Sequence, residues 1–247
     1  MPRLLLINPN TSQQVTDLLA RHARALAPPG AELLAVTAPF GASYIASEAS
    51  AAVAAEAVPA AWDAALAAHG PPDAVLVACF GDPGVDALRA RTPVPVLGLA
   101  EVAMRVADAL GRYAIVTGGA AWGPMLQRLA EARGLATRLA GVLTVERSGA
   151  ELLADPPAAE AVLLDACHRA LALASAPAVA LHPDDSAGPL RAIVIGGAAL
   201  ADLAAPLAPR LPVPLVDNVR VGLQAAWHAA CSSVVSPQTP PTKEPHP

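Results

Sequence analysis

Cys79 is the residue whose type and setting point most directly to chemistry. It lies in the stretch Asp73 to Gly84, DAVLVACFGDPG, after an apolar run and before a segment of helical composition. An unbroken apolar run of this length predicts a buried parallel strand, and the loop after such a strand is the usual ligand position in open α/β sheets. A helix dipole favours the anion of a thiol at the helix start. We therefore expect Cys79 to have a lowered pKa and to act as a base.

The residues around Cys79 leave two interpretations open. Asp82 and Pro83 form a helix-start signal, because Asp is favoured at the N-cap and Pro at the first helical position. Gly81 and Gly84 allow the backbone to come close to a ligand, which favours a binding loop. In the alternative interpretation Cys79 is a small buried hydrophobe, as free cysteines often are.

A second polar loop follows the first apolar run of the chain. Four of the five residues in Asn8-Pro9-Asn10-Thr11-Ser12 have polar side chains. Such side chains cap helices by accepting hydrogen bonds from free N–H groups, and one of them suffices for that purpose. The remaining ones would form a cradle for a carboxylate or an imide at the end of a strand.

Length and composition restrict the class of protein. The 247 residues are 54% hydrophobic and 15% charged, with a net charge of −5. That length is enough for one large or two modest domains. The absence of a basic cluster argues against nucleic-acid binding. No apolar run reaches the ~18 to 20 residues of a membrane span, and the N-terminal run is too short for a signal peptide. We therefore expect a cytoplasmic protein without a membrane partner.

The cysteines and histidines do not predict a metal site. Cys79, Cys167 and Cys231 lie far apart without CxxC spacing, which argues against a disulfide framework and a structural zinc site. Cys167 and His168 are interpreted as a core thiol beside a surface imidazole. The cluster from His182 to Asp185 has the residue types of metal ligands, but a Pro-interrupted loop is a poor scaffold for fixed ligands.

Strand and helix patterns alternate along the whole chain. Strands are predicted at Arg3–Ile7, Glu32–Thr37, Ala74–Ala78, Pro93–Leu99, Arg112–Val116, Ala136–Val145, Arg191–Ile195 and Pro212–Asp217. Helices are predicted at Gln13–Ala27, Ala49–Ala68, Val85–Ala90, Ala100–Leu110, Ala121–Arg133, Ala158–Ala174, Leu200–Ala208 and Asn218–Ser232. Pro59 predicts a kink or a break in the second helix. The alternation predicts an α/β fold with right-handed βαβ units and parallel sheets.

An internal echo indicates two similar halves. A buried run ending in a small-residue loop occurs at Cys79 and again at Gly197, in VLVACFGDPG and IVIGGAAL. The loops at Asn8 and Thr117 form a second pair. Two α/β lobes with a site between them account for this pattern. We assign residues 1–98 and 213–232 to the first lobe, 99–212 to the second lobe, and 233–247 to a disordered Pro-rich tail.

Three motifs resemble the aspartate/glutamate/hydantoin racemase superfamily, and the hydantoin racemase branch most closely. They are Asn8-Pro9-Asn10-Thr11-Ser12, Cys79-Phe80-Gly81-Asp82-Pro83-Gly84 and Pro214-Leu215-Val216-Asp217, and the resemblance covers roughly Arg3 to Ala230. It implies two pseudo-symmetric, flavodoxin-like lobes with the active site in the cleft between them. It also implies a homo-oligomeric enzyme that uses no cofactor and no metal.

The resemblance further implies a reaction and a set of site residues. In the family two cysteines face opposite sides of the substrate's α-carbon, one removing a proton as thiolate and the other supplying one. Cys79 matches the catalytic cysteine of the first lobe, and the substrate would be a hydantoin, an amino acid or a related carboxylate. The expected substrate-binding residues are Asn10, Thr11, Phe40, Phe80, Gly81, Thr117, Gly118, Gly196, Gly197 and Ala198.

The second lobe departs from the family's pattern. The family motif Gly-Cys-Ala-Gly-Met reads Gly196-Gly197-Ala198-Ala199-Leu200 here, so Gly197 takes the place of the second cysteine. Cys167 and Cys231 fall within predicted helices and do not replace it. If Gly197 faces the α-carbon, a cysteine at this position should raise racemisation.

Three functions remain open at this point. The first is a hydantoin-racemase-type enzyme with an altered second base. The second is a single-cysteine decarboxylase or lyase acting on malonate-type substrates. The third is a degenerate homologue that binds a small carboxylate or imide without turnover.

Overall fold

The protein, as a computed structural model, is described over residues 1–175 and 188–235. Within these ranges it forms two four-stranded sheets whose strands all pair in parallel. The predicted α/β fold with two flavodoxin-like lobes is therefore confirmed. The cluster from His182 to Asp185 and the residues after 235 lie outside the described ranges.

The two sheets share one topology, β2-β1-β3-β4 in the first and β6-β5-β7-β8 in the second. The strands are β1 (Arg3–Asn8), β2 (Glu32–Thr37), β3 (Ala74–Val77), β4 (Val96–Gly98), β5 (Tyr113–Gly118), β6 (Leu139–Val145), β7 (Ala192–Gly196) and β8 (Leu215–Asp217). The helices are α1 (Gln13–Ala25), α2 (Glu48–His69), α3 (Val85–Arg89), α4 (Leu99–Leu110), α5 (Trp122–Ala132), α6 (Gly149–Ala154), α7 (Pro156–Ser175), α8 (Ala204–Leu207) and α9 (Asn218–Val235). Two short 3-10 turns, Ala198–Leu200 and Ala208–Arg210, flank α8.

The inner strands are buried, which explains their unbroken apolar sequences. β3 and β7 read AVLV and AIVIG, and every residue of both is buried. A strand covered by helices on both faces needs small or apolar residues at every position rather than at alternate ones. Ile7 of β1 pairs with Val36 of β2 and Val77 of β3. The loops that follow these three strands therefore begin at the same edge of the sheet.

Helices α4 and α9 are exchanged between the two sheets. α4 and α9 pack against each other. Among the strands, α4 follows β4 of the first sheet but contacts mainly β7 of the second, whereas α9 follows β8 of the second sheet but contacts mainly β3 of the first. The prediction that residues 213–232 belong to the first lobe is wrong for β8, because this strand pairs with β7. The other lobe boundaries stay a prediction.

Helix α2 continues through Pro59, against the expectation of a kink or a break. A proline lacks the N–H that would bond the carbonyl of Ala55 one turn earlier. That carbonyl faces Gly84, where a Cβ would stand 2.8 Å from the oxygen, and the φ of Gly84 is +76°. Glycine at position 84 therefore allows the loop before α3 to pack closely on α2. The expected role of Gly84, to let the backbone approach a ligand, is not what this contact shows.

Helix α2 is also long and apolar enough, by length and composition alone, to cross a membrane. Its buried residues, which lie along one stripe, are Ala54, Ala57, Val58, Ala61, Trp62 and Ala65. The helix packs against β1, β2 and α3. This packing is that of a helix which covers one face of a parallel sheet.

Several predicted boundaries need correction. The stretch Glu146–Pro157, expected as a loop, contains α6, whose first turn is closed by a capping box between Ser148 and Glu151. The S-x-x-E spacing of such a box is visible in the sequence. The predicted helix Leu200–Ala208 is replaced by α8 and its two flanking 3-10 turns. The last helix, α9, continues to Val235, so the predicted tail cannot begin at residue 233.

Candidate active site

Loops after the carboxyl ends of strands from both sheets enclose a cavity of about 50 Å³. The residues lining it are Asn10, Val15, Tyr44, Ile45, Ala78, Cys79, Phe80, Thr117, Gly118, Trp122, Gly149, Gly196, Gly197, Ala198, Ala199 and Leu200. One water molecule needs about 10–15 Å³ of such space, so the cavity has room for a few waters.

Cys79 is a buried thiol in the first-sheet wall of this cavity, two residues beyond the end of β3. The pKa of Cys79 is raised to about 12. Burial is the larger cause, and the negative charge of Asp82 is the smaller one. The expected lowering of this pKa is wrong. The physical reason is that α3 is only five residues long and begins at Val85, after a glycine N-cap, so little helix dipole faces the sulfur.

Asp82 caps a different helix from the one predicted. Its carboxylate accepts hydrogen bonds from the backbone N–H groups of Ala100 (2.8 Å) and Glu101 (2.7 Å) in the first turn of α4. The N-cap of α4 is Gly98, and a Cβ on it would collide with the Asp82 carboxylate. The φ of Asp82 is +51°, a left-handed value that aspartate tolerates better than most residues. The interpretation of Asp82-Pro83 as the start of α3 is therefore wrong.

Burial raises the pKa of Asp82 to about 7, although both backbone hydrogen bonds and the charge of Arg133 act in the opposite direction. Next to it, Glu101 pairs with Arg89, Arg105 and Arg133 at 2.8 to 3.0 Å. The acidic residues behind Cys79 are thus tied to the start of α4. The charge of Asp82 opposes ionisation of the nearby thiol.

The loop after β1 is held together by the side chain of Asn8. Its Nδ2 donates to Asn10 Oδ1 (2.9 Å), to the Ser12 carbonyl (3.0 Å) and to Thr16 Oγ1 (3.0 Å). Asn10 Oδ1 also accepts from the Ser12 N–H. Asn10 Oδ1 is therefore engaged inside the loop, and Asn10 also lines the cavity. Ser12 caps α1, as one member of the loop was expected to do.

The second lobe presents mainly backbone to the cavity. Thr117 at the end of β5 donates its hydroxyl proton to the Gly196 carbonyl at 2.7 Å. Gly197 has a φ of +133°, where L side chains are strained, and a Cβ there would lie 3.2 Å from Leu200 Cγ. No side chain projects from the end of β7 at the position that corresponds to Cys79.

Three aromatic side chains cross the cleft, and each packs on a glycine of the opposite lobe. The ring of Phe80 occupies the place of a Cβ on Gly196, and the ring of Trp122 occupies that place on Gly81. The third ring is that of Tyr44, from the loop after β2. A Cβ on Gly149, at the start of α6, would stand 3.0 Å from this ring. Side chains larger than hydrogen at these glycines would keep the two lobes apart.

Tyr44 was not predicted from the sequence. Its hydroxyl oxygen accepts a hydrogen bond from the Gly149 N–H at 2.7 Å. Burial raises the pKa of Tyr44, and the charge of the Cys79 thiolate acts in the same direction, whereas the hydrogen bond from Gly149 acts to lower it. A lone tyrosine between Ser43 and Ile45 has no motif to reveal it, because its partner lies 105 residues further along the chain.

Most of the predicted binding residues reach the cavity, and three do not. Phe40 is exposed on the surface, and Thr11 donates its backbone N–H to the Ala42 carbonyl outside the lining. Gly81 lies behind Cys79, where its N–H donates to the Cys79 carbonyl. Among the described residues no group of three His, Cys, Asp or Glu side chains is placed to hold a metal ion.

A comparison with protein families matches this arrangement. The model for "Asp/Glu/Hydantoin racemase" matches residues 4–181, well over half of the chain. The match therefore includes the loop after β1, the Cys79 loop and the end of β5. It stops before β7 and the Gly197 loop.

Individual relatives extend across both lobes. A hydantoin racemase of Paenarthrobacter aurescens is 29% identical over 237 residues, 91% of this chain and 89% of its own. The structure of an allantoin racemase from Klebsiella pneumoniae is 31% identical, with a TM-score of 0.79 over 95% of this chain and 88% of its own. That of an allantoin racemase from Pseudomonas fluorescens is 30% identical, with a TM-score of 0.79 over 94% and 91%.

Proposed function

The chain belongs to the Asp/Glu/hydantoin racemase family, and from this premise we propose that it moves a proton at the carbon α to a carbonyl, with the Cys79 thiolate as base. The observation that supports this assignment most directly is the place of the cysteines. Of the three in the chain, only Cys79 lines the cavity. Cys167 is fully buried within α7, and Cys231 lies in α9.

The lining favours a neutral ring over an amino acid as the substrate. Among the described residues that line the cavity there is no Lys, Arg or His. A free carboxylate would be buried without a charged partner, and burial of an unpaired charge is costly. A 5-substituted hydantoin or a related cyclic ureide such as allantoin carries its carbonyls and N–H groups without a net charge. The names of the relatives, hydantoin racemase and allantoin racemase, point to the same class.

The enolate that forms when the α-proton leaves needs hydrogen-bond donors. We assign this role to the Asn10 amide and to the backbone N–H of Phe80, next to the thiol. Preorganised donors of this kind stabilise charge that develops in the transition state. The aromatic and glycine contacts across the cleft hold the two walls of the cavity close together around the reacting atoms. Proton removal by the thiolate requires no cofactor.

A single-cysteine lyase is the second candidate. An apolar cavity with one thiol would suit loss of CO₂ from a malonate-type substrate, followed by protonation of the enediolate by Cys79 from one face. The lack of a cationic side chain in the lining would favour departure of the carboxylate. This reaction predicts CO₂ release and one product enantiomer.

Proton exchange in D₂O separates these functions. Each enantiomer of a 5-substituted hydantoin and of allantoin is incubated with the protein, α-deuterium is followed by NMR, and configuration by chiral chromatography. We expect exchange with wild-type protein and a fall of about 10²- to 10⁴-fold in Cys79→Ala, the usual contribution of an acid–base group. Cys231→Ala is the matched control and should exchange at the wild-type rate.

Three outcomes would contradict the proposal. Exchange that is equally fast in Cys79→Ala would show that this thiol is not the base. No exchange with any hydantoin or ureide, together with CO₂ release from an arylmalonate, would assign the protein to the lyase reaction instead. Binding without either reaction would indicate a non-catalytic homologue.

A further inference from the structure

We propose that Tyr44 is the acid that protonates the substrate's α-carbon on the face opposite Cys79. This inference rests on the proposed function, because it assigns the second proton of the same reaction. Inversion of configuration needs a base on one face of the α-carbon and a proton donor on the opposite face. The loop after β7 provides none, since Gly197 has no side chain.

The cavity offers two ionisable side chains for these roles, among the described residues that line it. They are Cys79 and Tyr44. Thr117 also lines the cavity, but its proton is engaged by the Gly196 carbonyl. Asn10 provides an amide, which is a hydrogen-bond donor but not an acid. Tyr44 is therefore the remaining group that can give a proton to carbon.

The Tyr44 hydroxyl is held by the lobe that lacks a cysteine. The residue itself lies on the loop after β2, in the first lobe, but its oxygen accepts from the Gly149 N–H, which follows β6 of the second lobe. It also lies 3.9 Å from the place of a Cβ on Gly119, directly after β5. The thiol comes from the first sheet and the phenol is fixed at the end of the second sheet. The two groups therefore face the cavity from opposite walls.

The hydrogen bonds of Tyr44 leave its proton available. A phenol has one proton to donate and lone pairs that accept. The Gly149 N–H donates to this hydroxyl at 2.7 Å, and a backbone N–H can act only as a donor. The oxygen is thus the acceptor in this bond. Its own O–H is not used in the bond and remains for a substrate in the cavity.

The proton balance of the step is simple. The C–H bond of the α-carbon breaks, its proton forms an S–H bond with the Cys79 thiolate, and the electron pair moves into the carbonyl as an enolate. The O–H bond of Tyr44 then breaks as its proton bonds to the opposite face of the α-carbon. The products are the inverted substrate, a thiol and a phenolate. Solvent takes the thiol proton and returns one to the phenolate.

Tyr44→Phe tests this role by separating inversion from exchange. Cys79 alone can remove the α-proton, exchange it with D₂O and return deuterium to the same face. In Tyr44→Phe we therefore expect inversion to fall by about 10²- to 10⁴-fold, whereas exchange with retained configuration continues within a few-fold of the wild-type rate. Tyr113→Phe is the matched control, because the other tyrosine of the chain donates to the Leu135 carbonyl in the core. It should leave both rates unchanged.

Three outcomes would overturn the assignment of Tyr44 while the proposed function stands. Tyr44→Phe could invert substrate at the wild-type rate, its inversion and exchange could fall by the same factor, or the wild-type protein could exchange only with retention. If the wild-type protein shows no exchange at all, the proposed function itself fails and the role of Tyr44 falls with it.

A second variant guards against a folding defect in Tyr44→Phe. Site-specific incorporation of 3-fluorotyrosine at position 44 keeps the hydrogen bonds and makes the phenol more acidic. The alkaline limb of the inversion rate should move to lower pH, with no change in the pH profile of exchange. An unmoved inversion profile would count against Tyr44 as the acid.

Discussion

The loops after β3 and β7 occupy the same place in two sheets of the same topology, yet they present different groups to the cavity. The first carries a thiol at Cys79, a left-handed turn at Asp82 and an aromatic ring that reaches the other lobe. The second carries Gly196 and Gly197, which offer space and backbone only. The loop of the first lobe therefore supplies a thiol, and the loop of the second lobe supplies the glycine surface against which the ring of Phe80 packs.

The difference between the two loops is compensated by side chains that cross the cleft. Phe80 fills the space above Gly196, and Tyr44 brings a hydroxyl to the end of the second sheet. The half of the site that has no side chain at the end of β7 is thus lined by side chains that reach it from the other lobe. The predictions below test whether the loops really differ in this way.

The largest expected effect is the pH dependence of α-proton exchange. In the proposed reaction the base is the Cys79 thiolate, and the pKa of this thiol is raised to about 12 by burial and by Asp82. Below that pKa the thiolate fraction grows about tenfold with each pH unit, and kcat/KM reports the free enzyme. We expect kcat/KM for exchange to rise about tenfold with each pH unit between pH 7 and 9. Cys79→Ala measures the spontaneous reaction to be subtracted, and a plateau near neutral pH would mean that the thiol is not suppressed by its surroundings.

Gly196→Ala should separate the two lobes at the point where they close. A methyl group at this position overlaps the ring of Phe80, so the ring must leave its place against the second sheet. We expect a loss of up to about 3 kcal/mol in the free energy of unfolding, the usual cost of overpacking, together with a large loss of inversion. Chemical denaturation and the D₂O assay measure the two effects.

Gly123→Ala is the control for Gly196→Ala. Its Cβ would lie 3.7 Å from Thr144 Cγ2, an ordinary contact, and the residue is in α5. Alanine in a helix is favoured over glycine by about 1 kcal/mol, so this variant should be as stable as the parent or more so. If both variants behave alike, the contact between Phe80 and Gly196 does not hold the cleft closed.

Asp82→Asn should change stability and thiol reactivity in opposite directions. The variant loses the charge that accepts two N–H groups at the start of α4, and hydrogen bonds to charged groups contribute about 2 kcal/mol. The same loss removes a cause of the raised pKa of Cys79. We expect a lower unfolding free energy and alkylation of Cys79 by iodoacetamide that begins at lower pH, followed by mass spectrometry. Glu48→Gln, at an exposed ion pair with Arg128, should change neither.

The fold was largely predictable from the sequence, because buried parallel strands and their helices leave strong local patterns. The loop residues that follow a strand were also predictable, and Asn10, Cys79, Phe80 and Thr117 do line the cavity. What could not be predicted depends on contacts between distant segments. Tyr44 meets Gly149, Trp122 meets Gly81, and Asp82 caps α4 in place of the helix that follows it. No local pattern encodes such partners, and the burial that reverses the expected pKa shift of Cys79 arises from the same packing.

The smallest expected effect comes from the second loop itself. Gly197→Ala places a methyl group on a backbone with φ of +133° and 3.2 Å from Leu200 Cγ, at the end of a side chain rather than at backbone. Strain of this kind costs about 1 kcal/mol at the lower end of its range. Because Tyr44 supplies the second proton, neither Gly197→Ala nor Gly197→Cys should raise inversion, which reverses what the motif alone predicts for a cysteine here. Chiral chromatography of Gly197→Cys, alone and combined with Tyr44→Phe, decides between the two views. A tenfold gain in inversion that survives loss of the phenol would show that position 197 still faces the α-carbon and that the two loops remain interchangeable.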